Sequence, residues 1–262
     1  MTQSVYGYLA HQIATRADAP AMSDSTGITL NYGALGAACD EVAEILIANG
    51  VQSGDRVLLL SENCIAAVAV LFAAWKIGAC VVPVNARQTG AEVARVIEHC
   101  EPSIVIMTTS VSTDAQHHAV RLNGVEVTGS YGSMYVTASV GGPSELAGDV
   151  AVLLYTTGTT GDPKGVMLTH GNVRFGGLTS ANLRDMTHAD VVYGVLPTTH
   201  VFGLCSVVVA AVYAGAPVLL APRFEVAKVY AALRAGVTLF SGVPQMHALL
   251  MQYTKEQGFK AL

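Results

Sequence analysis

The chain has 262 residues, 52% of them apolar and 13% charged, with a formal net charge of −5. This balance suits one large or two smaller folded domains and excludes a disordered chain. No basic stripe is present, which argues against nucleic acid as a partner, so any phosphate must be held by a local site.

In chain order, Leu35, Ala38, Val42, Ile45 and Leu46 recur at helical spacing, and Asn49-Gly50 supplies a stop. Arg56 to Leu60 reads as a strand. Ile65, Val68, Leu71, Phe72 and Trp75 share one face of a helix that Gly78 closes, and Cys80 to Val84 is a further buried strand. Thr89-Gly-Ala-Glu92 has the form of a capping box opening a helix with Val93, Val96, Ile97 and Cys100 on one face. Ile104 to Met107 is a strand. Residues 110 to 148 are less regular, with short β-like stretches and a turn at Gly141 to Pro143. Val150 to Tyr155 is a strong strand, followed by β-like runs at Val166 to Leu168 and Val191 to Leu196.

Val201 to Pro222 carries no charge and is long enough to span a bilayer, but Gly203, Gly215 and Pro217 interrupt it. It reads better as a buried helix followed by a strand at Val218 to Leu220, so no stable membrane insertion is expected. A helix near Glu225 to Leu233, a strand at Val237 to Phe240 and a helix at Pro244 to Gln252 follow. Repeated βα units predict an α/β fold with parallel-rich sheets covered by helices. Cys39, Cys64, Cys80, Cys100 and Cys205 are far apart and form no C-x-x-C pair. They read as buried free thiols of a reducing compartment. Met1 to Tyr6 lacks the pattern of a signal peptide, and a cytoplasmic location is expected. Phe259 to Leu262 ends on apolar residues without a cap, which suggests a cut from a longer chain.

Tyr155-Thr-Thr-Gly-Thr-Thr-Gly-Asp-Pro-Lys-Gly-Val-Met-Leu-Thr-His170 is the most informative stretch. Gly158, Gly161 and Gly165 let the main chain approach a ligand closely. Thr156, Thr157, Thr159 and Thr160 add four hydroxyls, and Lys164 adds a cation. Together they describe a phosphate cradle. Pro163 before Lys164 and Gly165 after it exclude a Walker A loop. The flanking strands predict a hairpin loop, so a helix dipole is not the main attraction. A solvated Gly/Thr turn is the plain alternative, and the ordered chemistry of sixteen residues weighs against it. His200 follows a strand and Pro197, where ligand-facing residues of α/β sheets tend to lie, although a lone His in an apolar run is usually a core residue. His170 reads as ordering the turn before Asn172, which could cap the next helix.

Tyr155 to Gly165 resembles the phosphate-loop signature of the adenylate-forming superfamily, which includes acyl- and aryl-CoA ligases, with Thr157 where Ser is usual. Val81-Val-Pro-Val-Asn85, Leu196-Pro-Thr-Thr-His-Val-Phe-Gly-Leu204 and Ser241-Gly-Val-Pro244 resemble further motifs of that family, in the same order. The resemblance implies ATP-dependent activation of a carboxylic acid to an acyl-adenylate, then transfer to CoA, usually with Mg²⁺. It implies that Thr156, Thr157, Gly158, Thr159, Thr160 and Gly161 hold phosphates, that Lys164 neutralises leaving-group charge and that the Thr160 hydroxyl faces the metal. It places His200, Val201, Phe202, Gly242, Val243, Pro244 and Met246 beside the acid. Amino-acid-activating relatives commonly carry an Asp after the position of Leu196, and no Asp or Glu lies between Val195 and Ala221. A fatty or aryl acid is therefore expected.

The resemblance further implies a phosphate-loop lobe over residues 55–181. Residues 1–54 plus 182–262 form a second, incomplete lobe, and the small C-terminal catalytic domain is absent. This chain alone is then expected to be inactive, and a homodimer would cover the core surface left at the cut. Two other readings stay open: a non-catalytic nucleotide- or partner-binding fragment, and an acyl-AMP ligase.

Overall fold

The computed structural model describes residues 4–137, 149–156 and 163–258, with Thr156 described by its backbone. The Gly141–Pro143 turn and the end at 259–262 lie outside the described residues. Two sheets organise the chain. The larger has seven strands in the order β6-β7-β5-β3-β4-β8-β9. These are β3 (Arg56–Ser61), β4 (Cys80–Asn85), β5 (Ile104–Met107), β6 (Val125–Gly129), β7 (Gly132–Val136), β8 (Val150–Thr156) and β9 (Lys164–Thr169). Its centre, β5-β3-β4-β8, is parallel, as its continuous Val, Leu and Ile runs predict. Antiparallel strands close both edges.

The smaller sheet has the order β12-β10-β11-β1-β2. Its strands are β1 (Pro20–Ser23), β2 (Thr29–Asn31), β10 (Val192–Gly194), β11 (Val218–Leu220) and β12 (Leu239–Phe240). All neighbours are parallel except β1 and β2.

One core fills the space between the sheets. It joins Ala21, Met22 and Val218 of the smaller sheet to Leu59, Val81 and Val152 of the larger. Helices α1 (Tyr6–Arg16), α2 (Tyr32–Ala48), α3 (Ile65–Lys76), α6 (His170–Asn182) and α7 (Ala210–Ala214) contribute to it. Helix α3 departs from expectation. Its spacing predicts one buried face, yet every residue from Ile65 to Trp75 is buried. Packed between the larger sheet and helices α1 and α2, it has no solvent side, and its alanines permit approach from all directions.

The outer face of the larger sheet carries α4 (Gly90–Cys100) and α5 (Thr113–Arg121). That of the smaller sheet carries α8 (Val226–Arg234) and α9 (Pro244–Glu256). The Thr89–Glu92 capping box forms as predicted, with both reciprocal bonds present.

Two local expectations change. Helix α5 occupies part of the region read as irregular. Its sequence, TDAQHHAVR, has too few apolar residues to show a helical stripe, and only Ala115, His118 and Ala119 are buried. Helix α6 is capped by Thr169, and Asn172 completes a capping box from inside the first turn. The N-cap is Thr169 and not Asn172, whose side chain accepts from the Thr169 N–H.

The segment after Val201 is a π-helix, Phe202–Val209, running into α7. Among the described residues no helix is long and apolar enough to cross a membrane. All five cysteines are buried free thiols. Burial pushes Cys64 and Cys205 up to about 11, which disfavours the thiolate that nucleophilic chemistry needs.

Candidate active site

Strands β8 and β9 form the expected antiparallel hairpin, and its last pair sets Thr156 opposite Lys164. Thr157, Gly158, Thr159, Thr160 and Gly161 lie outside the described residues. The hairpin is anchored on its outer face by Tyr155, whose phenolic oxygen lies 2.6 Å from His99 Nδ1 at the end of α4. Burial raises the Tyr155 phenol well above its ordinary value, so it stays protonated. At the hairpin's mouth Lys164 is exposed, with no carboxylate within 4.0 Å among the described residues. At the far end, His170 is buried as the first residue of α6. Burial lowers its affinity for a proton, and its Nδ1 accepts from the Val5 N–H at 3.3 Å. His170 therefore fastens the N-terminal segment to this helix.

The second half of the candidate site follows β10. His200 is exposed in a turn, and its N–H donates to the Pro197 carbonyl at 3.1 Å. It is not a core histidine. Thr198 and Thr199 beside it are buried, and their hydroxyls have no hydrogen-bond partner among the described residues. Val201 and Phe202 are half-exposed and line an apolar groove of about 380 Å³ with Leu168 of β9, Phe175 of α6 and Cys205. The groove thus brings the residues after His200 against the C-terminal end of β9, at Leu168, and against α6.

Gly242, Val243, Pro244 and Met246 do not line that groove. Gly242 packs against the Phe240 ring and His247, and Met246 joins the cores. Val243 and Pro244 are exposed at the start of α9. Among the described residues no group of three or more His, Cys, Asp or Glu could hold a metal ion.

Gly203 explains how the π-helix reaches its place. A Cβ there would lie 2.2 Å from the Pro197 oxygen and 2.5 Å from the Leu196 oxygen. Gly203→Ala is therefore expected to lower stability by about 1–3 kcal/mol. A denaturation midpoint matching that of the unsubstituted protein would contradict this packing.

Sequence reasoning missed the polar residues that join the two sheets here. Asn63 follows β3 and bonds to three backbone groups around β10. Glu62, with its side chain 1% exposed, pairs in a two-pronged fashion with Arg223 beyond β11, at 3.0 and 3.1 Å. Asp24, just beyond β1, accepts from the Ile65 N–H at 2.9 Å and so caps α3 from the other sheet. The available signal was the run Ser61-Glu62-Asn63 between an apolar strand and an apolar helix. Polar residues at the carboxyl end of a parallel strand face the crevice where such folds bind ligands.

The profile of the family described as AMP-binding enzyme matches residues 9–261. Crotonobetaine/carnitine–CoA ligase of Salmonella paratyphi B is 28% identical over 241 residues, covering 84% of this chain and 46% of that protein. The crystal structure of ATP-bound MatB from Rhodopseudomonas palustris superposes with a TM-score of 0.78 at 29% identity, covering 96% of this chain and 51% of that one. O-succinylbenzoate coenzyme A synthetase from Bacillus subtilis, in complex with AMP, gives 0.75 at 26% identity, over 94% and 64%. The chain spans about half the length of the curated relatives it matches. With the strand-hairpin motif, the order of the later motifs and the doubled sheet in agreement, the chain belongs to the AMP-binding enzyme family.

Proposed function

We propose that this chain is the phosphate-holding part of an enzyme that activates a carboxylic acid with ATP and passes the acyl group to CoA. The observation that carries this reading is the β8–β9 hairpin. It sets Thr156 and Lys164 opposite one another at the ends of two strands joined by a Gly- and Thr-rich run. In the first half-reaction the substrate carboxylate attacks the α-phosphorus, forming an acyl-adenylate and releasing pyrophosphate. In the second, the CoA thiol attacks the acyl carbon and AMP leaves. Thr156, Thr157, Gly158, Thr159, Thr160 and Gly161 bind the β- and γ-phosphates, and Lys164 offsets the charge that develops on the departing pyrophosphate. The Thr160 hydroxyl would face a nucleotide-bound Mg²⁺, which would supply charge neutralisation on the phosphates.

His200 faces the acid's carboxylate, and Val201, Phe202, Gly242, Val243, Pro244 and Met246 border the acyl group. The acid lacks an α-amino group and is of the fatty or aryl class. Support comes from the absence of Asp and Glu between Val195 and Ala221, since a buried ammonium without a partner is costly. Residues 55–181 form the phosphate-loop lobe, and 1–54 with 182–262 form the second. The division is supported by strand membership, because all seven strands of the larger sheet fall within the first range.

Pyrophosphate exchange by the complete protein, run against fatty, aryl and amino acids, tests the reading. Exchange is expected with a fatty or aryl acid, and at background level for the 262-residue chain alone. Exchange confined to amino acids would overturn the substrate class. ATP binding by the complete protein without exchange on any acid would favour a non-catalytic binding role.

A further inference from the structure

We infer that Asn63 is a positioning residue that sets the His200 turn of the smaller sheet against the phosphate hairpin of the larger. Asn63 is 2% exposed and sits two residues beyond β3. Its Nδ2 donates to the carbonyl of Gly194 at 3.0 Å and to that of Leu196 at 2.9 Å. Its Oδ1 accepts from the Thr198 N–H at 3.0 Å. One carboxamide thus holds the end of β10, the residue before Pro197 and the backbone two residues before His200. The orientation is unambiguous, since two carbonyls need a donor and one N–H needs an acceptor.

Through β3 the same residue belongs to the phosphate hairpin's framework. Strand β3 pairs with β4, and β4 pairs with β8, which runs into the hairpin. Neighbouring Glu62 makes a second crossing to the smaller sheet through Arg223, which also bonds Asp114 at 3.0 Å. Residues 62 and 63 are therefore a junction through which the spacing of the two half-sites is transmitted. The β10 segment is short, and Gly203 leaves no slack between it and the π-helix. A displacement at Leu196 to Thr198 therefore moves the turn that carries His200.

The inference rests on the reading of His200 given above, and the test separates the two. In the complete protein, Asn63→Asp places oxygen against two carbonyl oxygens, and Asn63→Ser removes the reach of the carboxamide. Each is expected to slow pyrophosphate exchange by about 10- to 100-fold, the cost of a misplaced reacting geometry. His200→Ala combined with Asn63→Ser should be no slower than the worse single variant to within about twofold, because both act through one group. Losses that multiply, or an unchanged rate in both Asn63 variants while His200→Ala slows exchange, would overturn the positioning role.

The imidazole resonances of His200 give a readout independent of activity. They should shift on Asn63→Ser; an unmoved ring sinks the inference. A shifted ring together with full activity in His200→Ala would instead leave the positioning standing and remove His200 from the reaction. Should both Asn63 variants fail to fold, hydrogen exchange on the unsubstituted protein still decides. The Thr198 amide should be strongly protected, and exchange at the rate of an open turn would mean that the bond is not made.

Discussion

Trp75→Ala is expected to lower unfolding stability by about 3–5 kcal/mol, the largest effect of any single substitution considered for this chain. The chain's one tryptophan is 1% exposed at the end of α3. Its ring packs edge-on against Phe72 with centroids 5.1 Å apart. Its indole N–H donates to the Ala151 carbonyl in β8 at 2.9 Å. Truncation opens a cavity between close-packed elements and removes that bond, and neither loss is recovered by collapse of a helix fixed on all sides. Trp75→Phe retains most of the volume and loses the N–H, so a smaller drop of about 1–3 kcal/mol is expected. Denaturant midpoints read both effects. A loss under about 1 kcal/mol for Trp75→Ala would show that α3 is not packed in this way. Because Ala151 lies on the strand that enters the phosphate hairpin, the substitution also loosens the base of the candidate site.

Lys164→Ala in the complete protein is expected to slow pyrophosphate exchange by about 10- to 150-fold while leaving stability within about 0.5 kcal/mol. The two halves of that expectation have separate causes. Lys164 is exposed and without a carboxylate partner among the described residues, so its removal breaks no packing or ion pair. Its register opposite Thr156 places a mobile charge at the last described pair of the hairpin. A charge-assisted contact that strengthens as pyrophosphate leaves is worth about 1.5–3 kcal/mol. An unaltered exchange rate would take Lys164 out of the reaction. A comparable loss of stability would mean that the side chain supports the hairpin itself.

Much of the fold could be read locally. The strands at Ile104–Met107 and Val218–Leu220 are found at the predicted positions because short apolar runs that follow a Pro leave few alternatives. The Thr89–Glu92 box marks its helix because the motif is itself the pair of bonds. Helix α5 escaped notice because its burial comes from neighbours and not from an apolar stripe. Strand β1 exists through pairing with β11, almost two hundred residues away.

The sequence by itself determined the chemistry that the site can offer. A run of Gly and Thr ending in Lys164, placed between two strands, supplies donors, open backbone and charge whatever the rest of the chain does. Only the tertiary structure decided which groups face one another across the two sheets. The bonds from Asn63 to Gly194, Leu196 and Thr198, and from Glu62 to Arg223, link residues more than a hundred positions apart. No spacing rule spans that distance, because such contacts are set by the stacking of sheets on a shared core and not by the local backbone.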